Sequence, residues 1–262
     1  MKTRLAKITI AMLALVMSVG VGAVDNSIYI DQTGDNAIIS ITQDGAGNRV
    51  NGIANGSPGQ ATDSAKIYGD GNIVSVTQVG AGNRLALGIN RGTSSSTAAT
   101  NVSYSVTGNN ATALIDLNNS GQGSAAGNVV SITQTGNGAN AALAMTGDNN
   151  TLTLATAGGS NNSFQSGVTG NTNTQNISVT GGGGNNVATT QTGDNNALTL
   201  TSVGATNSFT VNQADSGHTA TINNTGSGNQ FAINQSGTAG PNVLSISVAG
   251  SGSQITTTQT NR

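Results

Sequence analysis

"SVTQVGAGNRLAL", residues 75–87, holds the end of one strand, a turn and the start of the next strand. Val76 alternates with Ser75 and Thr77 before the turn. Leu85 and Leu87 alternate with Arg84 and Ala86 after it. Between them stand Gln78, Gly80, Gly82 and Asn83. Thirty-five residues earlier, "QDGAGNR" (43–49) spells nearly the same turn, with Gln43, Gly45, Gly47 and Asn48. Apolar alternation of period two, bounded by Gly and Asn, is the mark of a strand. The glycines supply turn conformations that other residues reach only with strain.

The same unit recurs along the chain. Aligning on the Asn after each turn gives Asn36, Asn48, Asn72, Asn83 and Asn110. From there the series runs Asn128, Asn140, Asn150, Asn162, Asn173, Asn186, Asn196, Asn207, His218, Asn229, Asn242 and Ser253. From Asn128 onward the steps are 10 to 13 residues and most often 11. The second and fourth residues after the anchor are usually apolar, as in Val130/Ile132, Leu198/Leu200 and Phe231/Ile233. No sustained helical spacing competes with this pattern. One unit is a strand plus a tight turn, and a lone strand cannot bury its apolar face. The expected fold is therefore all-β, a β-solenoid with two strands per coil of about 22 residues. About eleven coils at about 4.8 Å would make a rod about 50 Å long.

A further position repeats. The sixth residue after the anchor is Gln at Gln78 (after Asn72), Gln134 (after Asn128), Gln213 (after Asn207) and Gln235 (after Asn229). Stacked coils place like on like, so amides here can form ladders of the cross-β kind. A buried amide is costly unless bonded, which makes such a ladder a guard of register. Two stretches break the period, 52–66 with Pro58 and 89–101 with a Ser/Thr run, and both are expected as irregular loops.

The amino end reads differently. Lys2, Arg4 and Lys7 precede an apolar run from Ile8 that closes on Val21-Gly22-Ala23. This is the plan of a secretory signal, 1–23, with cleavage after Ala23 and a single repeat domain over 24–262. The run is short for a membrane anchor, and no later segment is apolar enough to span a bilayer. Without the signal, five basic residues stand against ten Asp, a net charge of −5, with no Glu. Sparse basic residues and the absence of a basic patch argue against nucleic acid. An exported chain with no Cys cannot rely on disulfides. With no Trp, three Phe and three Tyr, the core cannot lean on large side chains either. Only 7% of residues are charged, whereas disorder comes with high net charge.

The turn Gln-x-Gly-x-Gly-Asn with its Asn-x5-Gln strand resembles the curlin repeat of curli, the functional amyloid fibres of bacterial biofilms. Gln43/Gly45/Gly47/Asn48 and Gln78/Gly80/Gly82/Asn83 match the turn, and Asn72…Gln78 and Asn128…Gln134 match the strand frame. The chain departs from the family at Val50 and Leu85, where Ala is usual, and at Ile89 in place of the partner Gln. The resemblance implies a secreted, extracellular subunit of a cell-surface fibre used in biofilm matrix and adhesion. It also implies self-polymerisation, a nucleator subunit and an outer-membrane secretion pore as partners.

Other classes are weaker. The Asp residues are scattered, His218 is alone, and no triad or carboxylate pair can be nominated, so neither an enzyme nor a cofactor is expected. Calcium-binding nonapeptide solenoids put Asp in every turn, whereas most turns here carry Asn. A monomeric adhesin, binding ice or glycan through Thr pairs such as Thr151/Thr153, Thr199/Thr201 and Thr256/Thr258, is the alternative. Those pairs do not recur at one position of the repeat, and neither end of the rod shows the helical or charged cap that a monomer needs.

Overall fold

The computed structural model describes residues 15–17, 25–54, 57–59, 63–91, 98–119 and 127–262. Among these residues the chain is all-β and forms a β-solenoid. Each coil gives one strand to each of two parallel sheets. The first sheet runs from Leu15–Met17 through Ile38–Asp44, Ile73–Val79 and Asn101–Thr107 to Val243–Ala249. The second runs from Ser27–Ile28 through Arg49–Asn51 and Arg84–Ile89 to Gln254–Thr260. Of the expected signal segment only Leu15–Met17 is described, paired in parallel with Ile41, Thr42 and Gln43. The rest of residues 1–23 lies outside the described part.

Each strand is seven residues long in most coils and alternates exposed with buried positions, as in Val129–Thr135. The second, fourth and sixth residues point inward. Stacking in step then makes columns: Tyr104 lies between Val76 and Ile132, and Val102 between Val74 and Val130. The two sheets enclose one hydrophobic core of Val, Leu, Ile and Ala along the rod. One pair of aromatics stacks: the rings of Phe209 and Phe231, one coil apart, have centroids 4.6 Å apart and an interplanar angle of 12°.

The coil length follows from paired residues. Val129 pairs with Thr151, 22 positions on, Thr151 with Thr174, 23 on, and Thr219 with Val243, 24 on. Nearer the amino end the step widens: Arg84 pairs with Thr112, 28 positions on, and Arg49 with Arg84, 35 on. Insertions explain the difference. Lys66 pairs with Gly88 at the ordinary 22, so Arg49–Asn51 and Ala65–Tyr68 are two halves of one rung, split by a 13-residue excursion over 52–64. The loop expected over 52–66 thus ends two residues early, because Ala65 and Lys66 already pair within the sheet. Part of it folds back as an antiparallel pair, Ile53 with Pro58 and Ala54 with Ser57.

The stretch 89–101 also needs redrawing. Ile89 ends a strand and Asn101 begins one, so the loop lies between them, with 92–97 outside the described residues. A third insertion, not among the two expected loops, lies between Asn118 and Val129. Its residues 120–126 are likewise outside the described part. The insertions are tied to the rod by polar contacts. The Arg91 guanidinium pairs with the Asp116 carboxylate, which holds that guanidinium above its ordinary range. Arg84 donates to the Gly59 carbonyl, and Asn90 Nδ2 to the Tyr68 carbonyl at 3.0 Å. No described helix is long and apolar enough to cross a membrane.

Candidate functional site: the stacked amide columns

The turns decide where each amide stands. In 43–49, Gly45 has φ +109° and Gly47 φ +67°, both in the left-handed region that favours glycine. Gly80 and Gly82 repeat these angles at +112° and +69°. Packing adds a second reason: a Cβ on Gly45 would lie 2.1 Å from the Gly80 carbonyl oxygen, and one on Gly80 would lie 2.0 Å from that of Gly108. The turns stack backbone on backbone. Later coils put Asn in the second slot at positive φ, as at Asn110, Asn149 and Asn195.

Most turns deliver one buried Asn, and these form two columns. One carries Asn48 and Asn83, then, after Ala111 and Ala139, Asn162, Asn185, Asn207 and Asn229. The other carries Asn72, Thr100, Asn128, Asn150, Asn173 and Asn196. The bonding has one direction. Asn128 Oδ1 accepts the backbone N–H of Asn150 at 2.9 Å, while its Nδ2 donates to the Gly147 carbonyl at 2.8 Å. Both partners belong to the next coil toward the carboxyl end. Asn83 on Ala111 and Gly108, Asn207 on Asn229 and Gly226, and Asn229 on Ser253 and Gly250 repeat the clamp. Asn48 reaches Asn83 N–H at 3.0 Å and the Gly80 carbonyl at 2.8 Å. Asn72 and Asn162 are partial exceptions, accepting from Thr100 and Asn185 N–H but donating within their own turns to Gly69 and Gly158. The column is therefore mostly amide to backbone, whereas the sequence suggested amide to amide.

His218 takes one place in the second column. Its N–H donates to Asn196 Oδ1 at 2.9 Å, its Nδ1 accepts Asn242 N–H at 3.1 Å, and its Nε2 lies 2.7 Å from the Ala214 carbonyl. These partners assign the ring the neutral tautomer with the proton on Nε2.

The Gln residues behave as ladders in two places. Gln43 Nε2 donates to Gln78 Oε1 at 2.8 Å. Near the carboxyl end Gln191, Gln213, Gln235 and Gln259 bond head to tail at 2.7, 2.9 and 2.8 Å. Each also donates across the core to a strand start, Gln213 to Ala197 and Gln235 to Thr219, both at 3.0 Å. Gln134 stands apart. Its rung neighbours are Val106 and Thr156, its Oε1 accepts the Tyr104 hydroxyl at 3.2 Å, and its Nε2 is buried without a partner. Burial pushes the Tyr104 hydroxyl well above its ordinary range.

Four anchors shift by one residue: the buried position is Ala37, Ala111, Ala139 and Asn185, next to Asn36, Asn110, Asn140 and Asn186. With Asn185 as anchor, Gln191 falls in the sixth place and joins its ladder. Gln175, which no spacing singled out, is also buried and accepts from Ser166 and Thr189 hydroxyls at 2.8 and 3.0 Å. Among the described residues no group of three His, Cys, Asp or Glu side chains could hold a metal ion. What this arrangement offers chemically is a directional set of donors and acceptors repeated in most coils. The chain matches no family model, no curated protein and no solved structure.

Proposed function

We propose that the chain is a structural subunit of an extracellular cross-β fibre of the curli kind, built by stacking copies along the solenoid axis. One observation carries the reading. In the coil made by Val243–Ala249 and Gln254–Thr260, the inward residues Leu244, Ile246, Val248 and Ile255 are only half-buried. One coil back, the matching Ala220, Ile222 and Phe231 are covered. That coil presents core side chains, unpaired strand groups and Gln259, the last member of the amide ladder. A parallel, in-register edge is a template for a further coil of the same pattern. The clamp direction of the Asn columns gives the stack a polarity.

Export rests on the signal plan of residues 1–23, whereas passage across an outer-membrane pore and a nucleator subunit complete the proposal on the curlin resemblance. So do the bacterial cell-surface location and the roles in biofilm and adhesion. No catalytic role is assigned: both ring nitrogens of the single histidine, His218, serve the column.

The test uses the purified chain 24–262, incubated at high concentration with a dye that reports amyloid, followed by fibre diffraction. Polymerisation with a meridional spacing of about 4.8 Å is expected. A β-rich chain that stayed monomeric for days would overturn the fibre and favour the adhesin.

A further inference from the structure

The outward faces of the two sheets share one backbone geometry and one solvent, yet their compositions differ. On the first sheet, the third residue of each full strand is Ser or Thr in eight of nine rungs, beginning Ser40, Ser75, Ser103 and Ser131, with Asn176 the exception. The fifth residue is Ser or Thr in seven of nine, Ala155 and Asn223 excepted. Strand propensity alone would fill both sheets alike, and Ser has little of it. On the second sheet the third positions read Ala86, Leu114, Ala142, Gln165, Ala188, Thr210, Ala232 and Thr256 in successive rungs, Ser or Thr in two of eight. Charge divides the same way. Arg49, Lys66, Arg84 and Asp116 lie in the strands of the second sheet, whereas among the described residues Asp44 is the only charge on the outward face of the first.

The edges of the first face mix aliphatic residues with Thr. Large exposed aliphatic residues gather there: Ile38, Ile73, Val129 and Val243 at the first strand position, and Val203 at the seventh. Across the strand the columns run mixed aliphatic and Thr, hydroxyl, hydroxyl, mixed aliphatic and Thr, the first being aliphatic in five of nine rungs and the seventh in four. That order reads the same from either side. A patch that contacts its own copy across a two-fold axis must be self-complementary in this sense. With the axis parallel to the rod, the third column faces the partner's fifth and the first faces its seventh.

We infer that the outer face of the first sheet is a lateral interface between two copies of this chain, pairing rods side by side. The size suits it. Nine strands at about 4.8 Å by seven residues at about 3.3 Å give a flat face of about 1,000 Å². Two copies would bury about 2,000 Å², within the range of stable specific interfaces. Neutrality suits it too, since like charges do not meet when the face contacts itself. In fibres this rests on the polymer reading above, because paired filaments require filaments.

The experiment measures mass per length of fibres from the chain 24–262 by scanning transmission electron microscopy. Ser103→Lys/Thr133→Lys puts charge on the first face, and Ala142→Lys/Ala188→Lys puts it on the second. Wild type and the second-face variant are expected to show two chains per axial repeat, and the first-face variant half that mass per length with fibre growth retained. A wild-type fibre one chain wide, or equal unpairing by both variants, overturns the interface and leaves the fibre standing. If no fibre forms, the polymer reading fails and the interface is read on the soluble rod by sedimentation. A dimer that the first-face lysines halve then supports it, and a monomer overturns it. A single-width rod that those lysines release from microcrystalline cellulose also overturns it, in favour of a polysaccharide occupant.

Discussion

Gln191 Nε2 donates to Gln213 Oε1 at 2.7 Å, while Gln191 Oε1 is buried without a donor because its rung neighbour toward the amino end is Val168. The ladder therefore has an internal end, and its members are unequal. Gln213→Leu would strip Gln235 Oε1 of its donor and Gln191 Nε2 of its acceptor at once. Gln191→Leu removes an orphan acceptor and leaves one, on Gln213. An unsatisfied buried group costs about 1–3 kcal/mol. Urea unfolding should thus show a loss of about that size for Gln213→Leu and a change of less than about 1 kcal/mol for Gln191→Leu. Equal losses would mean that side-chain volume, and not the amide chain, holds this part of the core.

Tyr104 and Gln134 form a polar pair with no ladder on either side. Burial raises the Tyr104 hydroxyl above its ordinary value of 10.0, so the folded chain favours the neutral form. The sign follows from linkage. The stabilisation is full below about pH 10, and it is lost as the pH climbs from there toward the folded value, because the unfolded chain ionises first. Stability measured from pH 8 to 11.5 should fall above 10, and Tyr104→Phe/Gln134→Leu should flatten that fall. The pair removes both partners together, so at pH 7 it should cost little or even stabilise. An unchanged slope in the double variant would assign the alkaline loss to another group.

Much of this is legible in the sequence. Alternation and glycine turns gave strands, and the constancy of the step gave stacking. What stayed hidden was hidden for physical reasons. In "GGNN" (183–186) two adjacent Asn residues compete for the anchor, and only the register of the opposing rung selects Asn185 as the buried one. The excursion at 52–64 cuts a rung in two, so Arg49–Asn51 is too short to read as a strand until Ala65–Tyr68 completes it in space. Gln175 occupies the first inward place of its strand, which is aliphatic in the other full strands of the first sheet, and is bonded by hydroxyls of the other sheet. No spacing along the chain announces a contact made across the core.

Two glycines three residues apart separate backbone strain from space. At Gly170, φ is +116° and a Cβ would meet the Gly193 carbonyl oxygen at 2.2 Å. At Gly167, inside Ser163–Thr169, a Cβ meets nothing within 4 Å and φ lies outside the left-handed region. Gly167→Ala should raise stability by about 0.4–1 kcal/mol through the unfolded chain. Gly170→Ala should unfold the coil locally, read as lost amide protection at 147 and 193. Thr172, a β-branched residue at φ +59°, offers the converse. Thr172→Gly relieves a conformation costing about 1–2 kcal/mol and should leave the melting temperature level or higher. A marked fall would show that the Thr172 side chain makes up for its backbone.

A solenoid whose coils touch only their neighbours should survive the loss of an end. Residues 127–262 contain six strands of each sheet, all at the ordinary step of 22 to 24 residues, with all of the four-membered Gln ladder. The amino-terminal part carries the three insertions and the Arg91–Asp116 pair. The Asn clamps point from each coil to the next toward the carboxyl end, so removing 1–126 leaves every clamp from Asn128 onward with its partner. What the cut exposes is an amino-terminal rung with apolar residues such as Val130 and Ile132 uncovered on one side. The fragment 127–262 is therefore expected to keep the strand spectrum of the whole chain and to unfold cooperatively. Its urea dependence should be shallower, roughly in proportion to its length, because the slope follows the surface exposed. The matching fragment 24–126 lacks the long ladder and should be the less stable of the two. If 127–262 were unfolded while 24–126 stayed folded, stability would originate in the insertions and not in the repeat.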